Sequence, residues 1–346
     1  MKVPTSARST LTAALLNPRA GFVLALIAVA LVAACQGKYP QNSLDPKTDF
    51  AETVHSLYVS IFWWTMVILA VVWSVLAYIV IRFRENPDRP APRQVHGHLG
   101  MEIAWTIGPA LIVVAIAIPT IQAVFRTQTP PAAEENALVV EVVGHQYWWE
   151  YRYPDLGVST ANELHLPVGR PITLKMWSVD VIHSFWVPQL DGKRDVNPLR
   201  RVPEGEDARY TWLYFTINEE GTFLGQCAEF CGEAHSLMRT RVVAESQAEF
   251  DTWVDTWRTP APTAVAPALD PATGQPLTVE DPQVTAGRTA FFSTTCIACH
   301  AIQGTPAQGV IGPNLTRLGS RSTIGAGLLE NTPEKLVSCH ACGVVV

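Results

Sequence analysis

GQCAEFCGEAHSLM, residues 225–238, places two cysteines, a histidine and a methionine within fourteen positions. Cys227 and Cys231 stand four apart, His235 follows four later and Met238 three after that. Strand-like stretches, RYTWLYFTI before and LMRTRVVA after, flank the run. A loop held at both ends by strands gives its side chains a fixed geometry. Thiolate, imidazole and thioether together form the soft donor set that suits copper. His183, in DVIHSFWVP at the end of another predicted strand, adds a second imidazole. Two thiolates, two imidazoles and a thioether exceed one small His2Cys copper site. They suit two copper ions bridged by both sulfurs. The competing reading is a Cys227–Cys231 disulfide, a bond that exported domains do form. It leaves His183, His235 and Met238 without a role.

Around this loop the chain reads as β-structure. ALVVEVVGHQYWWEYRYP is β-rich and aromatic, and ITLKMWSVDVIHSFWVP supplies further strands between turn signals. Several short strands over residues 137–258 predict a β-sandwich. A closing helix is expected over 247–257. Ser246 and Glu249 form a capping box there, and Phe250, Trp253, Val254 and Trp257 form one apolar stripe.

The 346 residues leave room for two or three domains. Hydrophobic residues make up 48% and charged residues 16%, a balance that points to membrane segments. The net charge of −6 gives no basic surface for nucleic acid, while an acidic outer domain attracts a basic soluble partner. Residues 1–35 read as an export signal: Lys2, Arg8 and Arg19 precede the apolar core GFVLALIAVALVAA and Cys35. VAAC resembles a lipoprotein cleavage box with Cys35 as the lipidated residue; the plainer alternative is an ordinary signal with a stray cysteine. Two membrane helices follow, at about 57–81 and 103–124, within a transmembrane domain 49–126. Pro109 and Pro119 interrupt the second, which membrane helices tolerate. Arg82, Arg84, Arg89 and Arg93 between them place that loop in the cytoplasm. Everything after residue 125 is then expected on the outer face. Glu102, in MEIAWTIGP, falls at the cytoplasmic start of the second helix, where the helix dipole favours a carboxylate.

Beyond the sandwich, residues 259–280 are rich in proline and alanine and read as an extended, semi-rigid tether. Residues 281–346 then carry Cys296-Ile-Ala-Cys299-His300, the C-x-x-C-H signal for covalent haem c. The thiols bond the haem vinyl groups and His300 is the proximal iron ligand. GPNL at 312–315 resembles the cytochrome c loop whose proline carbonyl, here Pro313, orients that histidine.

DVIHSFWVP followed by CAEFCGEAHSLM resembles subunit II of the cytochrome c oxidases, with their dinuclear CuA centre. The resemblance covers residues 49–258. It implies a multidomain membrane protein: a two-helix transmembrane hairpin and a cupredoxin-like β-sandwich, with the haem motif adding an α-helical cytochrome c domain. Chains with that fused domain belong to oxidases of the caa type. Carried over, Cys227 and Cys231 bridge the coppers and His183 and His235 each cap one. Met238 and the Glu229 carbonyl are weak ligands, and the Glu229 side chain matches a magnesium or manganese ligand at the subunit I interface. GHQYWWEYRYP resembles the family's electron-entry stretch, with Tyr147 where tryptophan is usual and Trp148 next. Glu102 matches the family's mouth of a proton path into subunit I. The implied function is a proton-translocating oxidoreductase subunit in a bacterial inner membrane. It accepts electrons from cytochrome c, through the fused haem, and passes them to subunit I for oxygen reduction.

Family members usually supply a methionine downstream as sixth iron ligand, but none follows His300. The domain 281–346 is therefore expected to be incomplete at its C-terminus, with His340 as an alternative ligand. Cys339 and Cys342 form another C-x-x-C, but Gly343 follows it, so it is no second haem site. A membrane-tethered copper chaperone or thiol oxidoreductase is the other functional class considered. It would need neither Met238, Glu102 nor the haem motif. A quinol oxidase subunit would not need the copper donors.

Overall fold

The computed structural model describes residues 39–84, 94–132, 136–199, 210–259, 266–276 and 280–336, with single positions 23, 26, 90 and 278. Cys35, Arg89, Arg93, Cys339, His340 and Cys342 lie outside the described residues. The chain divides into two compact units, 1–42 and 43–346, and the second carries every element below.

Two long helices come first, α1 (Asp49–Arg82) and α2 (Leu99–Gln128), both long and apolar enough to cross a membrane. Each is longer than its apolar run. The hydropathy pattern marks only the stretch that fits hydrocarbon, whereas the helix continues until its backbone is capped. Thr48 caps α1, its hydroxyl accepting from the Ala51 amide at 3.0 Å. His98 caps α2, with Nδ1 accepting from the Met101 amide at 3.3 Å. Pro109 and Pro119 both sit inside α2 without ending it.

The first turn of α1 belongs to the outer domain. Phe50 and Ala51 are buried, and the Asp49 carboxylate accepts from the Thr216 amide at 2.7 Å. Glu52 accepts from the Asn218 side chain at 3.0 Å, and the Lys47 amide donates to the Gln189 carbonyl at 2.8 Å. These bonds tie the sandwich to the head of α1.

The sandwich has two five-stranded sheets. One runs in the order β3-β2-β1-β5-β8, built from β1 (Leu138–His145), β2 (Trp148–Tyr153), β3 (Val158–Ala161), β5 (Pro171–Ser178) and β8 (Thr211–Thr216). The other runs β4-β10-β9-β6-β7, from β4 (Glu163–Pro167), β6 (His183–Trp186), β7 (Arg194–Val196), β9 (Gly221–Cys227) and β10 (Arg239–Glu245). Pairings β1·β5 and β4·β10 are parallel and the rest antiparallel. The aromatic stretch that reads as one β-rich run is a hairpin, β1 turning into β2 at Gln146 and Tyr147. Alternation along β2 sends Trp149, Tyr151 and Tyr153 into the core between the sheets. Helix α3 (Gln247–Arg258) closes the domain with the expected capping box and buries Phe250 and Val254.

The tether is not extended throughout. Within 266–276 the chain turns back on itself, the Gly274 amide donating to the Asp270 carbonyl and the Asp270 amide to the Gln275 carbonyl, both at 2.8 Å. The C-terminal segment combines short helices with a small hairpin. Its described residues hold α4 (Pro282–Ser293), the single turn α5 (Cys296–Cys299) and a small hairpin, β11 (Thr323–Ile324) with β12 (Leu329–Glu330). Gly325, Ala326 and Gly327 all take positive φ, a run that bends the chain into the hairpin rather than continuing a helix.

Candidate metal centre

Cys227 is the last residue of β9 and His183 the first of β6, and these strands pair, so the sheet itself brings the two together. The loop from Cys227 returns to β10 through the Met238 carbonyl, which accepts from the Cys227 amide at 2.9 Å. The five side-chain donors converge as a result. Cys227 Sγ lies 3.8 Å from Cys231 Sγ and 3.9 Å from His183 Nδ1. Cys231 Sγ lies 3.7 Å from His235 Nδ1 and 4.0 Å from Met238 Sδ. The Glu229 carbonyl is 3.2 Å from Cys227 Sγ. His183, Cys227, Cys231 and Met238 are buried. Both cysteines are free, and a sulfur separation of 3.8 Å is far from the roughly 2.05 Å of a disulfide. Two thiols facing two imidazole Nδ1 atoms, with a thioether beside one of them, fit a thiolate-bridged copper pair.

Electrostatics favour one thiolate and resist a second. Burial pushes the Cys227 thiol up, but the His183 contact and neighbouring backbone dipoles outweigh it and bring it down. Burial and the adjacent Cys227 push Cys231 the other way. Like charges this close oppose joint ionisation until a cation offsets them.

Asp180 orients His183. Its Oδ1 lies 2.8 Å from His183 Nε2, so that nitrogen carries the proton and Nδ1 is left to face the sulfurs. Burial raises the Asp180 carboxyl, yet the bonds from His183 and from the Val181 and Gln146 amides hold it at about 2. Trp149 packs edge-on against His183, with ring centroids 5.8 Å apart. Sequence reasoning missed Asp180 and took in Trp149 only as one member of the aromatic stretch GHQYWWEYRYP. For Asp180 the signal was its place three residues before a candidate ligand; for Trp149 it was the period-two alternation of β2.

Tyr147, in the turn before β2, and Trp148, the first residue of β2, go different ways. Tyr147 touches the loop that follows β9, its hydroxyl accepting from the Glu233 amide at 3.2 Å. Trp148 points away from the core and stacks on His145 at 4.0 Å. It is nonetheless only 4% exposed, because the segment near Ile311 covers it; its indole N–H donates to the Ile311 carbonyl at 3.1 Å. The Glu229 carboxylate pairs with Lys193 at 3.0 Å, on a lysine it shares with Asp195. Glu102 stands in the first turn of α2, its Oε1 accepting from the His98 amide at 3.3 Å.

In the C-terminal segment α5 displays Cys296 and Cys299 on one helical turn, followed by His300. His300 Nδ1 lies 2.8 Å from the Pro313 carbonyl. A carbonyl only accepts, so Nδ1 carries the proton and Nε2 is the free ligand atom. Gly312 permits this approach, since a Cβ there would lie 2.5 Å from His300 Cε1. The thiol pair, the oriented imidazole and the close glycine together fit a covalently held haem.

Fold and site define a membrane-anchored cupredoxin-like protein with a soft-donor centre in a strand-held loop. The family description "Cytochrome C oxidase subunit II, transmembrane domain" matches residues 38–123, and "Cytochrome C oxidase subunit II, periplasmic domain" matches 156–246. Cytochrome c oxidase subunit 2 of Alkalihalophilus pseudofirmus is 34% identical, covering 87% of this chain and 82% of that protein. The same subunit of Bacillus subtilis is 30% identical, covering 91% and 86%. Quinol oxidase subunit 2 of Bacillus cereus is 32% identical, covering 63% and 74%. Among solved structures, the periplasmic domain of subunit II of the Bradyrhizobium japonicum cytochrome oxidase is 29% identical. That match covers 38% of this chain and 97% of that one, with a TM-score of 0.32. The chain belongs to the cytochrome c oxidase subunit II family: it is a membrane-embedded subunit of a haem–copper oxidase with a periplasmic domain.

Proposed function

We propose that this chain is the electron-accepting subunit of a cytochrome c oxidase. It takes electrons at a dinuclear copper centre in the cupredoxin domain and delivers them to subunit I. The observation that carries the reading is the convergence of Cys227, Cys231, His183, His235 and Met238, each with a sulfur or Nδ1 within about 4 Å of a neighbouring donor. A copper pair held there supplies a one-electron acceptor whose charge is shared by two metals. The chain's part is to keep the donors still. Paired strands fix Cys227 and His183, Asp180 sets the tautomer of His183, and the buried surroundings exclude water. A site that does not rearrange on reduction opposes electron transfer least.

Cys296, Cys299 and His300 would hold a haem c on the same outer face, with Pro313 keeping the proton on His300 Nδ1. Such a haem would supply a one-electron carrier between a soluble or membrane cytochrome c and the copper domain. The Glu229 carboxylate is assigned to a magnesium or manganese site shared with subunit I. Some relatives are named quinol oxidase subunit 2; taking electrons from a quinol would not by itself call for a soft copper donor set. The donor set therefore favours cytochrome c over quinol as the electron source.

The deciding measurement is a metal and haem count with spectra on the purified chain. Two coppers per chain with a mixed-valence signal, and one covalent haem, are expected. One copper or none, with quinol-driven turnover in the assembled oxidase, would overturn the assignment.

Glu102 is assigned to the cytoplasmic mouth of a proton route into subunit I. Glu102→Ala is expected to slow oxygen consumption by the assembled oxidase while leaving the copper spectrum and electron entry unchanged, because the copper lies across the membrane. Unchanged turnover with normal assembly would leave Glu102 as a helix cap, the role its bond to the His98 amide supports.

A further inference from the structure

The tether between the sandwich and the C-terminal segment would allow a domain that swings freely, meeting the copper domain only by collision. The contacts between the two describe something else. Glu163 opens β4, an edge strand of its sheet, and is only 3% exposed. A carboxylate on an edge strand normally faces water. Here it is sealed by the β11 hairpin, from which it accepts four hydrogen bonds. Oε1 accepts from the Ser322 hydroxyl at 2.6 Å, and from the Thr323 amide and hydroxyl at 2.7 Å each. Oε2 accepts from the Ser322 amide at 3.1 Å. Every donor lies about 160 residues away in sequence. Arg321, next along the chain, is itself buried; its guanidinium sits 5.8 Å from the Trp257 ring of α3 and donates to the Asn314 carbonyl at 2.8 Å.

The same hairpin reaches the copper loop. Ala326 is 1% exposed with φ of 52°, and its carbonyl accepts from the Arg239 amide at 3.2 Å, one residue beyond Met238. The Gly327 carbonyl accepts from Arg241, the β10 residue paired with Glu163. A third contact closes the set: Trp148, on the outward face of β2, donates to the Ile311 carbonyl, beside the Gly312 and Pro313 that pack on His300.

We propose that Glu163 is a positioning residue: it clamps the C-terminal segment onto the copper domain through Ser322 and Thr323, seating the haem-holding loop on Trp148. This rests on the reading that the segment carries a haem that feeds the copper centre. Electron transfer between the two sites is then a fixed-distance step within one rigid arrangement, rather than an encounter between tethered domains. A buried carboxylate with four donors is strong only while all partners stay in place; removing it leaves those donors buried and unpaired. A buried clamp is also weakly screened by salt, unlike a surface encounter steered by charge.

The test inserts a protease site into the stretch between residues 259 and 266 of the full-length chain. The cut protein is then passed through gel filtration in detergent at about 1 M salt, where the Debye length is roughly 3 Å. The C-terminal piece of the otherwise unaltered chain is expected to elute with the rest. Glu163→Ala should weaken its retention about thirtyfold or more, the loss typical when one partner of a buried charged contact is truncated. Glu163→Gln keeps one acceptor oxygen and should restore retention in part. Ser322→Ala combined with Thr323→Val attacks the clamp from the other side and should release the piece without touching the sandwich. A piece that elutes alone from the otherwise unaltered cut chain, or that stays bound in Glu163→Ala, would overturn the clamp. This readout needs neither metal nor haem. A failed metal count would therefore sink the electron-transfer reading and leave the docking result standing on its own. With both centres loaded, the rate of haem-to-copper transfer should be independent of salt in the unaltered protein and become salt-dependent in Glu163→Ala.

Discussion

Cys227→Ser, or His183→Ala, is expected to abolish the mixed-valence two-copper signal while leaving covalent haem in place. Serine cannot bridge two soft metals as a thiolate does, and alanine removes the imidazole that caps one of them. The two substitutions act on opposite sides of the 3.9 Å contact between Cys227 Sγ and His183 Nδ1, so either one opens the same centre. The proposed haem donors Cys296, Cys299 and His300 stand on α5 and its cap, on different elements from His183 and Cys227. Haem stain on a denaturing gel, read beside the copper spectrum, separates the two sites. A copper signal that persisted in both variants would show that the ligands had been wrongly assigned.

Trp149→Ala is expected to cost about 3–5 kcal/mol of unfolding free energy, the range for truncating a large buried aromatic. Trp149 is fully buried, edge-on to both His183 and Phe185. It therefore supports the core and His183 at once. Its indole nitrogen has no hydrogen-bond partner among the described residues. Trp149→Phe forfeits no bond there and should cost clearly less than the alanine variant. Urea unfolding of the chain, followed by tryptophan fluorescence and by the copper spectrum, measures both effects. A shift below about 1 kcal/mol for Trp149→Ala would contradict the packing argument.

Several features were legible before any tertiary contact was known. The membrane helices announce themselves as uncharged apolar runs, although their true ends at Thr48 and His98 depend on capping rather than hydropathy. The α3 helix was readable to within a residue because its capping box and apolar stripe are both local signals. The C-terminal segment was harder. C-x-x-C-H specifies attachment chemistry, but the hairpin after Leu318 rests on positive φ at Gly325, Ala326 and Gly327, and an alanine gives no warning of that conformation.

Residue type and spacing were enough to nominate the chemistry: which side chains are candidates for copper, which are candidates for haem, and which stretches suit a bilayer. These are properties of neighbours a few positions apart, repeated at the periods of helix and strand. Only the tertiary structure decided which distant groups meet. His183 against Cys227 spans 44 residues, Trp148 against Ile311 spans 163, and Glu163 against Thr323 spans 160. No local period encodes such a pairing. It arises because a buried carboxylate and a buried indole must find partners once packing has removed water from them, and the packing of the whole chain determines which partners are there.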